Sequence, residues 1–138
     1  SGVGLVEIYE FLHSQGLYSN NAESHKAIIN ADDSAALISQ LASEDNNELA
    51  LAALQLFIKI YGAQAGNLAL TVLPKAGLYI AGGIAAKNLQ HFKKSTFIDA
   101  FNAKGKMKAV IAKIPVRLIL QPKVGLIGAR LLASKSTV

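Results

Sequence analysis

Over residues 3–14, Leu5, Ile8, Tyr9 and Leu12 recur at three-to-four spacing while Glu7 and Glu10 fall elsewhere. That spacing predicts an amphipathic helix, with Ser1 as its cap and Gly16 as its stop. Residues 17–31 read as a surface connection, with Ser19, Asn20 and Asn21 as its turn. Asp32 or Asp33 is expected to cap a short helix reaching about Ala42, and residues 43–47 a break with Ser43 or Asp45 as the next cap. From residue 48 to about 72 the pattern is long and helical, carried by Leu49, Ala52, Ala53, Leu56, Ile60, Ala63, Asn67 and Leu70. Gly62 and Gly66 lie four apart on it, and helical glycine costs roughly 1 kcal/mol against Ala. Close packing of the helix on a sheet, or backbone approach to a ligand, would explain both. Pro74 ends the helix.

The second half changes period. Residues 78–81, Leu-Tyr-Ile-Ala, are apolar on both faces, as a buried parallel strand requires. Gly82 and Gly83 then turn the chain, and Ile84 starts a helix. Residues 94–101 predict a further helix and 104–113 a basic, partly helical segment. Residues 116–120 predict a second strand, and 124–133 a closing helix with Gly125 and Gly128 in its first turn. The class is α/β. Two strands do not make a stable sheet alone, so further strands are expected from sequence outside these 138 residues or from another chain.

Composition narrows the function. With 51% hydrophobic and 17% charged residues the chain has the makings of a packed core, in one domain by length. It contains no cysteine, which excludes disulfides, thiolate metal sites and cysteine nucleophiles and fits the cytoplasm. No apolar run reaches the about 18 residues of a membrane span, and no signal peptide opens the chain. It starts without Met, so a longer parent protein is expected.

The net charge of +5 is unevenly held. Residues 1–74 carry two bases, Lys26 and Lys59, against eight acids; residues 75–138 carry twelve bases against one acid, Asp99. A basic half can attract an anionic ligand, or simply be a solvated lysine surface.

The chemistry is concentrated at the strand, the glycine pair and the helix after it. Glycine lets the backbone turn and lets a ligand approach closely; the helix start offers free N–H groups; ligands of open α/β sheets sit at the carboxyl ends of strands. A plain tight turn would look the same, so both readings stay open. There is no GxxxxGK[ST] loop and no GxGxxG fingerprint. His13, His25 and His91 are scattered and read as surface or helix histidines. Asp99 reads as a solvated or capping charge, and Asp32–Asp33 as a helix start. No catalytic constellation and no metal site is present.

Six motifs in order carry a resemblance: SGVGLVEIY at 1–9, GNLAL at 66–70, YIAGGI at 79–84, FNAKGKMK at 101–108, IPV at 114–116 and GLIGA at 125–129. Together they resemble the C-terminal part of bacterial glucokinases, with residues 15–47 diverging. The resemblance implies the actin-like sugar kinase superfamily, whose members place two ribonuclease H-like domains around a cleft. This chain would then be part of one such domain, with helices packed on a small, mostly parallel sheet that is incomplete here. As one C-terminal segment, 1–138, it would be helical over 1–74 and carry the strands, the glycine turn and the closing helix over 75–138. The implied reaction moves the γ-phosphoryl group of ATP to the 6-hydroxyl of glucose, with magnesium, giving glucose 6-phosphate for glycolysis. The resemblance puts Gly82 and Gly83 at the adenosine of ATP, with Gly2 and Lys87 as further nucleotide contacts. The GLIGA helix would be a connecting element at the hinge between the domains.

The family's phosphate-binding segment, catalytic base and sugar-binding residues belong ahead of Ser1. No catalytic or metal-binding residue is therefore assigned here, and the segment alone is expected to be inactive. The implied partners are ATP, glucose, the missing N-terminal half and a second copy in a homodimer; neither a membrane nor nucleic acid is expected. The alternatives are a non-enzymatic binding or regulatory module related to sugar kinases, and a nucleic-acid-binding domain using the basic half, for which no known recognition motif is present.

Overall fold

The computed structural model describes residues 1–19, 21–44 and 47–135, without the side chain of Ser95. Helix α1 (Gly2–Gln15) begins where Ser1 Oγ accepts from the Gly4 N–H (3.4 Å) and ends at Gly16, which is left-handed at φ +64°. The expected surface connection over 17–31 is corrected. It contains helix α2 (Ala22–Ile29), started by Asn21, whose side chain accepts from the Glu23 N–H (2.9 Å). Asn20, part of the expected turn, lies outside the described residues.

Helix α3 (Ser34–Ser43) is capped by Asp33, which accepts from Ala36 N–H (2.9 Å). Helix α4 (Glu48–Val72) starts not at Ser43 but at Asn47, whose buried Oδ1 accepts from the Ala50 N–H (2.8 Å). Ser43 instead finishes α3, its hydroxyl donating back to Ser39 O (2.9 Å). Asp45, the other expected cap, lies outside the described residues. α4 stops at Leu73, held at φ +49° before Pro74.

Strand β1 (Leu78–Ile80) leads through Gly82 into two short helices, α5 (Gly83–Lys87) and α6 (Leu89–Phe92). Helix α7 (Ser95–Asn102), a 3₁₀ turn (Gly105–Met107) and helix α8 (Lys108–Ile111) follow. Strand β2 (Val116–Leu118) and helix α9 (Val124–Lys135) complete the order. The two strands pair in parallel, with Leu78 opposite Val116, Tyr79 opposite Arg117 and Ile80 opposite Leu118. Arg117 fixes that register. Its guanidinium lies 5.6 Å from the Tyr79 ring and donates to Ala76 O (3.0 Å).

α4 is the central rod. Its N-terminal half buries Leu49, Ala53, Leu54 and Ile58 in a core shared with Leu5 and Tyr9 of α1 and Ile38 of α3. Each fully buried large aliphatic contributes about 1.5–3 kcal/mol. Its C-terminal half is lined by small residues and packs on α7. A Cβ on Gly62 would overlap Phe97 O, and one on Gly66 would sit 2.5 Å from Phe101 O. The glycines thus admit a neighbouring helix, not the sheet that the sequence suggested. By length and composition α4 alone among the described residues could cross a membrane, but half of its most apolar window is buried within the fold. α9 buries none of its residues and exposes Leu126, Ile127, Leu131 and Leu132.

Candidate functional site

The site is built at the carboxyl end of β1. The strand is held at both ends by β2: Leu78 N–H donates to Pro115 O and Ile119 N–H to Ile80 O, both at 2.8 Å. Past Ala81, Gly82 takes φ +124°, ψ 163°, a region essentially restricted to glycine. The backbone thereby swings from strand to helix in one residue. Gly83 differs. Its φ is ordinary and an added Cβ would meet nothing within 4 Å, so neither its conformation nor a neighbour in this chain demands glycine.

The helix that follows, for which the sequence predicted a start at Ile84 but no end, is short. α5 ends after five residues at Asn88, whose buried amide donates to Ile84 O (2.9 Å) and to Ser39 Oγ (3.2 Å). Ser39 in turn donates to Ala35 O (2.9 Å). A five-residue helix offers little macrodipole, so the turn's backbone shape, not helix charge, is what the site supplies. Asn88 ties that turn to α3 across the fold.

Two hollows meet at Gly83 and Ile84. The larger, about 390 Å³, is lined by Ser1, Ala81, Gly82, Gly83 and the α4 side chains Phe57, Ile60, Tyr61 and Gln64. Tyr61 is held there by edge-on contacts with Phe57, Phe92 and Phe97, at centroid distances of 5.9, 5.9 and 6.0 Å. The smaller, about 220 Å³, is polar on its α3 side, where Asp33 and Ser39 face Gly2, Lys87 and Asn88. Of the four residues singled out from the sequence, Gly2, Gly83 and Lys87 come together in the smaller hollow, and Gly82 and Gly83 share the larger one.

Sequence reading missed the rest of this lining. Asp33 had been read only as a helix start, and Tyr61, Gln64, Ser39 and Asn88 carried no signal beyond their place on helices. For magnesium the residues do not fit: among the described residues no three His, Cys, Asp or Glu side chains come together. Asp99 is exposed on α7, as expected. Lys104 is not one of a free basic row. Its ammonium donates to Ala63 O and Asn67 Oδ1 of α4, each at 2.7 Å.

A family model described as glucokinase matches residues 1–136. The glucokinase of a Synechocystis species is 42% identical over 99% of this chain, which covers 41% of that protein. A Nostoc glucokinase is 43% identical over 98% of the chain, covering 42% of its own length. For Klebsiella pneumoniae glucokinase the figures are 37%, 94% and 37%. Among solved structures, the crystal structure of a glucokinase from an Antarctic psychrotroph superposes with a TM-score of 0.76 at 30% identity. It covers 99% of this chain and 39% of that one. The chain thus spans about two fifths of the length of the curated relatives it matches.

Proposed function

The chain belongs to the glucokinase family. From that premise we propose that it is the C-terminal part of an enzyme transferring the γ-phosphoryl group of ATP to glucose, and that it supplies the adenosine side of the ATP site. In this reading residues 1–138 are one segment of a ribonuclease H-like, actin-like domain in a cytoplasmic enzyme. The remaining strands and the second domain come from the N-terminal part of the same protein.

One observation carries the site assignment. The glycine turn at the end of β1 lies between two hollows, and the fold brings Gly2 and Lys87 to it from positions 85 residues apart. Gly82 is glycine because its backbone needs it. Gly83 is not, and its open Cα leaves room for a nucleoside to lie against the backbone. Lys87, one turn further on, is placed to meet negative charge on the nucleotide.

The chain's residues hold and orient; they do not complete the chemistry. Phosphoryl transfer needs two substrates aligned and the transferred group's charge neutralised. Among the described residues the acid that lines the hollows at the turn is Asp33, whose carboxylate caps α3, and no three His, Cys, Asp or Glu side chains come together to hold magnesium. Magnesium, when bound with ATP, would neutralise phosphate charge; the carboxylates for it, the catalytic base and the sugar contacts are assigned to the N-terminal part. The exposed apolar residues of α9 support a partner surface there, and a homodimer of the whole enzyme is part of the same proposal.

A coupled glucose 6-phosphate assay tests this. The 138-residue chain alone should give no turnover, and adding the separately expressed N-terminal part should restore it. Turnover by the chain alone would overturn the reading.

A further inference from the structure

Away from the glycine turn, two histidines that looked unrelated in the sequence meet face to face. His13, near the end of α1, and His25, in the middle of α2, stack with centroids 3.7 Å apart and planes 9° from parallel. Below them Tyr9 is fully buried in α1, with its hydroxyl 3.3 Å from His25 Nδ1. Parallel rings this close do not aim their nitrogens at one point, which argues against a shared metal ion.

α2 has few other anchors. Ile28 is its one buried residue, and its carbonyl accepts from Ser34 Oγ (2.7 Å). We infer that the His13–His25 stack is an acid-sensitive latch: it holds α2 on α1 while both rings are neutral and releases it when both are charged.

The surroundings favour that behaviour. α1 presents Tyr9, Glu10 and His13 to His25; α2 itself carries Glu23 and Lys26; α3, the other element packed on α2, has no titratable side chain between Ser34 and Ser43. Burial, chiefly, and then the neighbouring His13 hold the His25 imidazole below its ordinary range, with Glu10 opposing them. A base whose folded pKa is lowered contributes stability above its unfolded value, about 6.5, and loses it as pH falls through the folded value. The latch is therefore closed at neutral pH and opens on the acid side. Release would also loosen the link from α2 to Asp33, which caps α3 and lines the smaller hollow.

Amide hydrogen exchange tests this without reference to catalysis. Between about pH 7.5 and about pH 5.5, after correction for intrinsic exchange, α2 should lose roughly tenfold in protection relative to α4. His13→Phe keeps a stacked ring but removes one charge, and a charged His25 then faces a neutral aromatic ring. In that variant the loss should shrink to about twofold or less. In the unsubstituted protein, the His25 imidazole proton resonances should titrate below the ordinary histidine value of about 6.5. Unchanged α2 protection, an equal loss in His13→Phe, or His25 titrating at or above about 6.5 would each overturn the latch.

Discussion

Lys104 crosses over Gly66 to reach Asn67: its ammonium nitrogen lies 2.7 Å from Asn67 Oδ1, and its Cε would be 2.5 Å from a Cβ at position 66. The chain just after α7 is thus pinned to α4 at a point where α4 has no side chain. Gly66→Ala should therefore cost about 1–3 kcal/mol through overpacking, in spite of the roughly 1 kcal/mol that Ala gains in helix propensity. Urea unfolding measures this; equal or higher stability would mean that α7 shifts aside freely.

Lys104→Met keeps the stem but removes both hydrogen bonds to α4. The expected loss is about 1–3 kcal/mol, since Ala63 O keeps its helical partner while Asn67 loses a charged donor. Because these are short contacts to uncharged acceptors, the stability difference between Lys104→Met and the unsubstituted protein should change little with added salt. A steep salt dependence of the Lys104 contribution would count against the clasp.

The adjacent glycines should respond differently. Gly82→Ala forces a Cβ into a backbone region reserved for glycine and should cost about 1–3 kcal/mol. Gly83→Ala meets no neighbour and should change stability by less than about 0.5 kcal/mol. If the turn serves the ATP site as proposed, Gly83→Val in the whole protein should raise the ATP KM far more than the glucose KM. Equal effects on both would make the turn only a piece of scaffold.

Leu73 ends α4 in a left-handed conformation at φ +49° while about half of its surface faces solvent. Asn tolerates that conformation without adding the unfolded-state freedom of glycine. Leu73→Asn should raise stability by about 0.5–1 kcal/mol, seen as a higher midpoint in thermal melts.

Much of the framework was legible because it rests on local rules. The apolar run of β1, the long period of α4 and the stops at Gly16 and Pro74 are all written in neighbouring residues. What was missed depends on contacts distant in sequence. α2 buries little beyond Ile28, and its His25 finds its partners on α1. The break at Asn88 has no Gly or Pro to announce it; it follows from an amide that returns to Ile84 and crosses to Ser39. The sequence points to Ser43 or Asp45 as the cap, not to Asn47, whose role rests on a buried amide oxygen that accepts from the Ala50 N–H. Gly62 and Gly66 showed that something approaches α4, but the pattern could not say that it is α7. At the candidate site the glycine pair was readable and the α3 wall was not, because Asp33 and Ser39 reach it only through tertiary packing.

The short parallel sheet has a consequence for the order of folding. Leu78 pairs with Val116, 38 residues later, so the strands meet only after the chain between them has been drawn into a loop. α4 and the helices around it can form earlier from contacts closer in sequence. Strand pairing, and with it the final shape of the glycine turn, should come late in refolding and fail early under mild denaturant. The hollows at that turn would then be lost before the helical core that supports them.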